Sequence, residues 1–221
     1  MMIMKSGSRK FVLTLHTTVT GTWIGSVVTY LTLVVVSLAG WADIGLAPTW
    51  ATLALLGWYV VVPAALSSFA SGVAMAWSTT WGLLHHKWVV ASLGLTTLGV
   101  VVLLSHMPGV TESATLANTA SGAEADLHQA LWSELLHSGL GLVVLLAIQA
   151  INVYKPAGLT TYGRRIREGK PTRLSAPAML PSPATAPQGS SRWAKIVWIH
   201  ALILVGLFVI GHIALGGVPS H

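Results

Sequence analysis

The run FVLTLHTTVTGTWIGSVVTYLTLVVVSLA, residues 11–39, contains no Asp, Glu, Lys or Arg, yet places a histidine, His16, early in its length. A helix rises 1.5 Å per residue and needs ~20 apolar residues to cross ~30 Å of hydrocarbon, so this run spans a bilayer with residues to spare. It is about twice as long as the apolar region of a secretory signal, and it therefore reads as a retained anchor. Residues 51–77, 88–106, 127–154 and 193–215 form similar runs. The chain of 221 residues is 53% hydrophobic and only 8% charged, which leaves too little polar surface for a water-soluble fold. The fold class is thus all-α: a polytopic membrane protein with an antiparallel four-helix transmembrane bundle plus a fifth transmembrane helix.

Charge gives the orientation. Of the 12 Lys and Arg, Lys5, Arg9 and Lys10 precede the first run, Lys87 lies between the second and third, and the rest lie between the fourth and fifth, from Lys155 to Lys195. The opposite connections carry Asp43, Glu112, Glu124 and Asp126 and no base. The positive-inside rule then places the N-terminus in the cytoplasm and the C-terminus outside. The net charge of +6 reflects this topology and anionic lipid, not nucleic acid. Three regions follow: a four-helix module at 1–154, a basic, Pro/Ser/Ala-rich cytoplasmic linker at 155–192, and the fifth helix with a short outer tail at 193–221. The linker holds six of the 10 prolines, so no packed structure is expected in it. Gly21 with Gly25, and Ser68, Gly72 and Ala76, are small residues at helical spacing that read as helix–helix contact faces.

The absence of cysteine excludes disulfides, iron–sulfur clusters held by thiolates and covalently attached haem. No G-x-S-x-G, phosphate-binding glycine loop or H-E-x-x-H is present, so hydrolase and nucleotide motifs receive no support. What remains is histidine. By helix rise, His16 lies ~8 Å and His200 ~10 Å above the cytoplasmic ends of their helices, whereas His137, His106 and His212 lie at ~25–28 Å. Ionisable residues inside a bilayer mark cofactor, ion or substrate sites. Two levels of imidazole without cysteine suit haem b held by pairs of histidines, one or two haems in all. His16 is expected to pair with His200, with His86 as the second candidate, and His137 with His106 or His212. Each His reading competes with a purely structural one, in which the imidazole bonds a neighbouring helix.

Glu134, three residues before His137 and on its face, is expected to orient that imidazole. Trp23, seven residues after His16, reads as a porphyrin neighbour or an interhelical wedge. The E-x-x-H pair also occurs in di-iron bundles, but the further carboxylates those need are missing.

LHTTVTGTWIG resembles the H-x6-W-x-G opening of the copper resistance protein D family and, more loosely, of HemJ-type protoporphyrinogen oxidases. A closer resemblance, over about residues 11–165, is to an uncharacterised group of bacterial predicted integral membrane proteins, through GWYVVVP, TTWGLLHHKW, LLSHM, HSGLGLVVLL and VYKPAGLTTYG. That group's pattern carries onto His16, His86, His106 and His137, while His200 and His212 belong to an extension. Haem binding in the HemJ-type proteins implies that His16 is an axial-ligand candidate.

The leading expectation is a haem-b membrane protein that carries electrons, with quinone, a redox partner protein and a second copy of the chain as candidate partners; a haem-biosynthetic oxidase is its lesser form. A copper or other metal permease or sensor is the first alternative, because Met107 adjoins His106, and His128, His137, His212 and His221 share the outer side. A cofactor-free structural or assembly subunit is the second. The colour and metal content of the purified protein separate the three.

Overall fold

The structure, a computed structural model, describes residues 6–42, 44–78, 83–119, 124–156 and 158–168. The expected fifth helix at 193–215, and with it His200 and His212, lies outside the described residues, as does 169–192 of the linker.

Among the described residues the chain is helical, with no strand. Helix α1 covers Ser6–Ala39, α2 Leu46–Leu56, α3 Val62–Ser78, α4 Lys87–Thr119, α5 Glu124–Tyr154 and α6 Thr161–Glu168, and one π-helical turn, Gly57–Val61, fuses α2 to α3. Four of these units are long and apolar enough to cross a membrane: Gly7–Ala39, Leu46–Trp77, Lys87–Thr119 and Glu124–Tyr154. Large apolar side chains such as Phe11, Leu55, Val101 and Leu146 face outward, as lipid-facing positions do. Helix α1 also carries many threonines on that surface. Thr14, Thr17, Thr22, Thr29 and Thr32 donate their hydroxyls to carbonyls of the preceding turn, which satisfies them without water.

The helices form an antiparallel bundle in which α1 packs on α3 and α5, α2 on α4, and α4 on both α3 and α5. The interior face of α1 is a stripe at alternating spacings of four and three: His16, Thr20, Trp23, Val27, Tyr30 and Val34. That spacing keeps one seam of a long helix turned to its neighbours. Its upper members enter two cores, Trp23 and Val27 with Val61, Ala65 and Ile148, and Tyr30 and Val34 with Trp50, Leu53 and Leu131. Gly21 and Gly25 lie off this seam and face open space, so the expected contact face at these glycines is not used among the described residues. On α3 the expectation fits better. Ser68 meets Thr20 (Oγ to Oγ1, 2.9 Å), and a Cβ at Gly72 would lie 3.3 Å from His16 Cε1.

Two elements run differently from the sequence expectation. The third span was expected to stop at His106, before Pro108, but α4 continues to Thr119 with Pro108 inside it. Proline removes one ladder bond, which packing against α2 and α5 offsets. The second span is interrupted instead. Pro63 has no N–H and its ring collides with the carbonyl four residues back, and the chain widens just before it, Val62 N–H reaching Gly57 O.

We call the end carrying Arg9, Lys10, Lys87 and Lys155 basal and the other distal. At the basal end the first part of the expected linker is docked, not free. Thr160 N–H donates to His85 O (3.0 Å) and Lys87 N–H to Gly158 O (3.1 Å), His86 bridges Leu159, and the His85 and Tyr162 rings stack at 5.5 Å. Lys155 turns the chain out of α5 with a left-handed φ of 43°, a conformation usual where a helix terminates.

Candidate functional site

Polar side chains gather inside the bundle at two heights. The distal cluster forms where α1, α4 and α5 meet. Glu134, 4% exposed, accepts the Tyr30 hydroxyl on Oε2 (2.7 Å) and His106 Nε2–H on Oε1 (2.8 Å). An isolated buried carboxylate is unfavourable by several kcal/mol, and hydrogen bonds from two helices offset much of that. His137, 8% exposed, stacks on His106 with ring centroids 4.3 Å apart and an interplanar angle of 18°. Its Nδ1 lies 2.9 Å from the carbonyl of Ser133; a carbonyl only accepts, so the network assigns the hydrogen to Nδ1.

The structure therefore brings His106, Glu134 and His137 together, with one change of partner. Glu134 serves His106 and Tyr30; the imidazole it was expected to orient, His137, is held by the backbone of its own helix. The E-x-x-H spacing put the two on neighbouring positions of α5, but the carboxyl reaches across to the facing helices. Tyr30 was missed. Its signal was present, since it lies fourteen residues after His16 and seven after Trp23, on the same seam of α1.

Above Trp23 the cluster opens onto a cavity of about 100 Å³ with otherwise apolar walls, among them Val27, Gly57, Val61, Gly99 and Gly141. This does not fit the expected distal haem. Two imidazoles on one iron approach it end-on from opposite faces, whereas His106 and His137 lie face to face. Nor is there, among the described residues, a group of three or more His, Cys, Asp or Glu side chains placed to hold a metal ion. Met107, adjacent to His106 in sequence, is 1% exposed and packs its sulfur against Gly57.

The basal station centres on His16. Its Nδ1 lies 3.0 Å from Ser71 Oγ, and Ser71 Oγ in turn lies 2.7 Å from Ser67 O and 3.1 Å from Ser68 O. Those carbonyls only accept, so the serine hydrogen is engaged with them and Nδ1–H of His16 must donate to Oγ. Nε2 is then the nitrogen with the lone pair. His16 lines a second cavity, about 290 Å³, together with Thr20, Trp88, Gln149 and, on the same lining, Arg9 and Lys155. Trp23, 4% exposed, lines both cavities with Leu145 and Ile148, and its indole tip stands 3.9 Å from where a Cβ of Gly99 would lie. It is a partition between the two chambers.

Family models, curated proteins and solved structures give no match to this chain. The site must be judged on its own geometry. His86, the second candidate partner of His16, is held at the basal turn by its bridge to Leu159 and does not line the His16 cavity. His200 and His212 lie outside the described residues.

Proposed function

We propose that this chain is a bacterial inner-membrane redox protein that binds one haem b in the basal cavity, with His16 Nε2 as an axial ligand and the N-terminus in the cytoplasm. The observation that supports this reading is the hydrogen bond from His16 to Ser71. A haem-ligating histidine is normally fixed by a bond from its other nitrogen, and here Nδ1–H is tied to a hydroxyl whose own hydrogen is engaged elsewhere. The wall of the larger cavity matches the group as well. Its interior is mainly apolar, as a macrocycle requires, and Arg9 and Lys155 supply cations for the two carboxylates. Bound haem would supply one-electron transfer. The chain's own residues orient the imidazole, exclude water through Trp23 and Phe69, and meet the anionic edge at the basal side.

His200, on the helix expected from 193 to 215, would be the second protein ligand of the haem, and a quinone or a protein at either face would be the electron partner. The purified protein, made with adequate haem supply, is expected to give a Soret band and a b-type pyridine haemochrome. His16→Ala should remove that haem or convert six-coordinate iron to five-coordinate. Absence of haem from the wild-type protein overturns the reading.

A further inference from the structure

We infer that the distal cavity binds a single hydroxylated aromatic ring of the hydroquinone class, held by its O–H at Glu134. This goes beyond haem binding and does not require it.

The inference begins with a census of hydrogens. Tyr30 O–H and His106 Nε2–H both point to the Glu134 carboxylate. Ser138 O–H donates to the Glu134 backbone carbonyl (2.6 Å), and His137 Nδ1–H to Ser133 O. Each of these donors at the polar end of the cavity thus has an acceptor. The carboxylate, with about four lone-pair sites, uses two of them in these bonds. Among the described contacts the donors are engaged and the carboxylate keeps spare acceptor sites, so a molecule that completes the polar end should bring an O–H.

Shape and solvent restrict the class further. A volume of about 100 Å³ is of the order of the ~150 Å³ apolar cavity known to hold benzene, and far from that of a porphyrin. Gly99 and Gly141 leave two walls without side chains, Met107 fills the space beside Gly57, and Trp23 closes the basal side, so the free space suits one small ring. The chamber is reached through a bilayer, and its walls are apolar. Among the described residues the lining holds no Lys or Arg to meet an anion, and a hydrated cation would have to shed its water against apolar walls. A neutral lipid-soluble hydroquinone meets all three conditions, and its oxidised quinone, which carries acceptors only, does not.

The test is calorimetric titration of the full chain in nanodiscs, without oxygen, using unsubstituted hydroquinone, the matching 1,4-benzoquinone, and benzene, rings of the size that a cavity of about 100 Å³ admits. We expect saturable binding of the hydroquinone, and binding of the other two weaker by about tenfold or more, the loss that goes with one hydrogen bond to a charged group. Glu134→Gln places amide hydrogens at the polar end and should narrow or reverse the preference for hydroquinone over quinone. Gly141→Leu, at a position whose Cβ meets open space, should fill the slot and abolish binding with little effect on folding. Equal binding of all three compounds, no saturable binding of the hydroquinone, or affinities unchanged in both variants overturns the inference. Haem is assayed on the same preparation, so failure of the haem reading is seen separately.

Discussion

At the scale of single residues, the decisive side chain is Glu134. Its two described partners come from α1 and α4, so the carboxylate ties three helices together at one point. Tyr30→Phe removes one donor from a buried carboxylate and is expected to lower stability by about 1–3 kcal/mol. In a Glu134→Leu background the same change should be close to neutral, because the hydroxyl has lost its acceptor. Thermal unfolding of the four variants in detergent measures the coupling directly. Equal effects of Tyr30→Phe in both backgrounds would show that the bond contributes nothing. The sequence made Glu134 and both histidines legible, since ionisable residues stand out in an apolar run. It did not make their pairing legible. A spacing of three residues states which side chains share a helix face, but it does not say which facing helix a flexible carboxyl will reach.

At the scale of elements, the spans could be read from hydropathy, whereas their ends and irregularities could not. The apolar run 88–106 ends at His106, yet helix α4 continues through Pro108 to Thr119, where a helix in water would seldom go on. In a bundle without competing solvent, leaving the helix exposes more unsatisfied backbone than keeping it. The π turn at Gly57–Val61 is the complementary case. There the widened backbone lets Gly57 approach Met107 so closely that an added Cβ would overlap the methionine's terminal methyl. Gly57→Ala is therefore expected to destabilise the bundle by about 1–3 kcal/mol through overpacking, and Met107→Ala to relieve most of that strain in the double variant. Additive losses in thermal unfolding would refute the contact. Gly163 faces a stiffer obstacle, because its Cβ would run into the backbone carbonyl of His85. Gly163→Ala should undock α6, which trypsin would report as faster cleavage after Arg164 and Arg165.

At the scale of the whole molecule, the bundle separates charge by end. The described bases Arg9, Lys10, Lys87, Lys155, Arg164 and Arg165 belong to the basal end and the α6 segment docked there, while Glu124 and Asp126 open α5 at the other. The same asymmetry orders the two chambers. The cavity with cations on its lining is basal, and the one closed by a carboxylate and two imidazoles lies farther along the helices, beyond Trp23. By the positive-inside rule the basal chamber, proposed for haem, opens toward the cytoplasm and the distal chamber, proposed for hydroquinone, lies nearer the outer face. The chain itself makes this easy to check, because it contains no cysteine. A single cysteine introduced as Ala42→Cys, on the connection between α1 and α2, should react with a membrane-impermeant maleimide in intact cells. Thr161→Cys, at the start of α6, should react only after the cells are opened. Labelling in the reverse order would invert the molecule, place Arg9 and Lys155 outside, and turn the proposed haem chamber away from the cytoplasm.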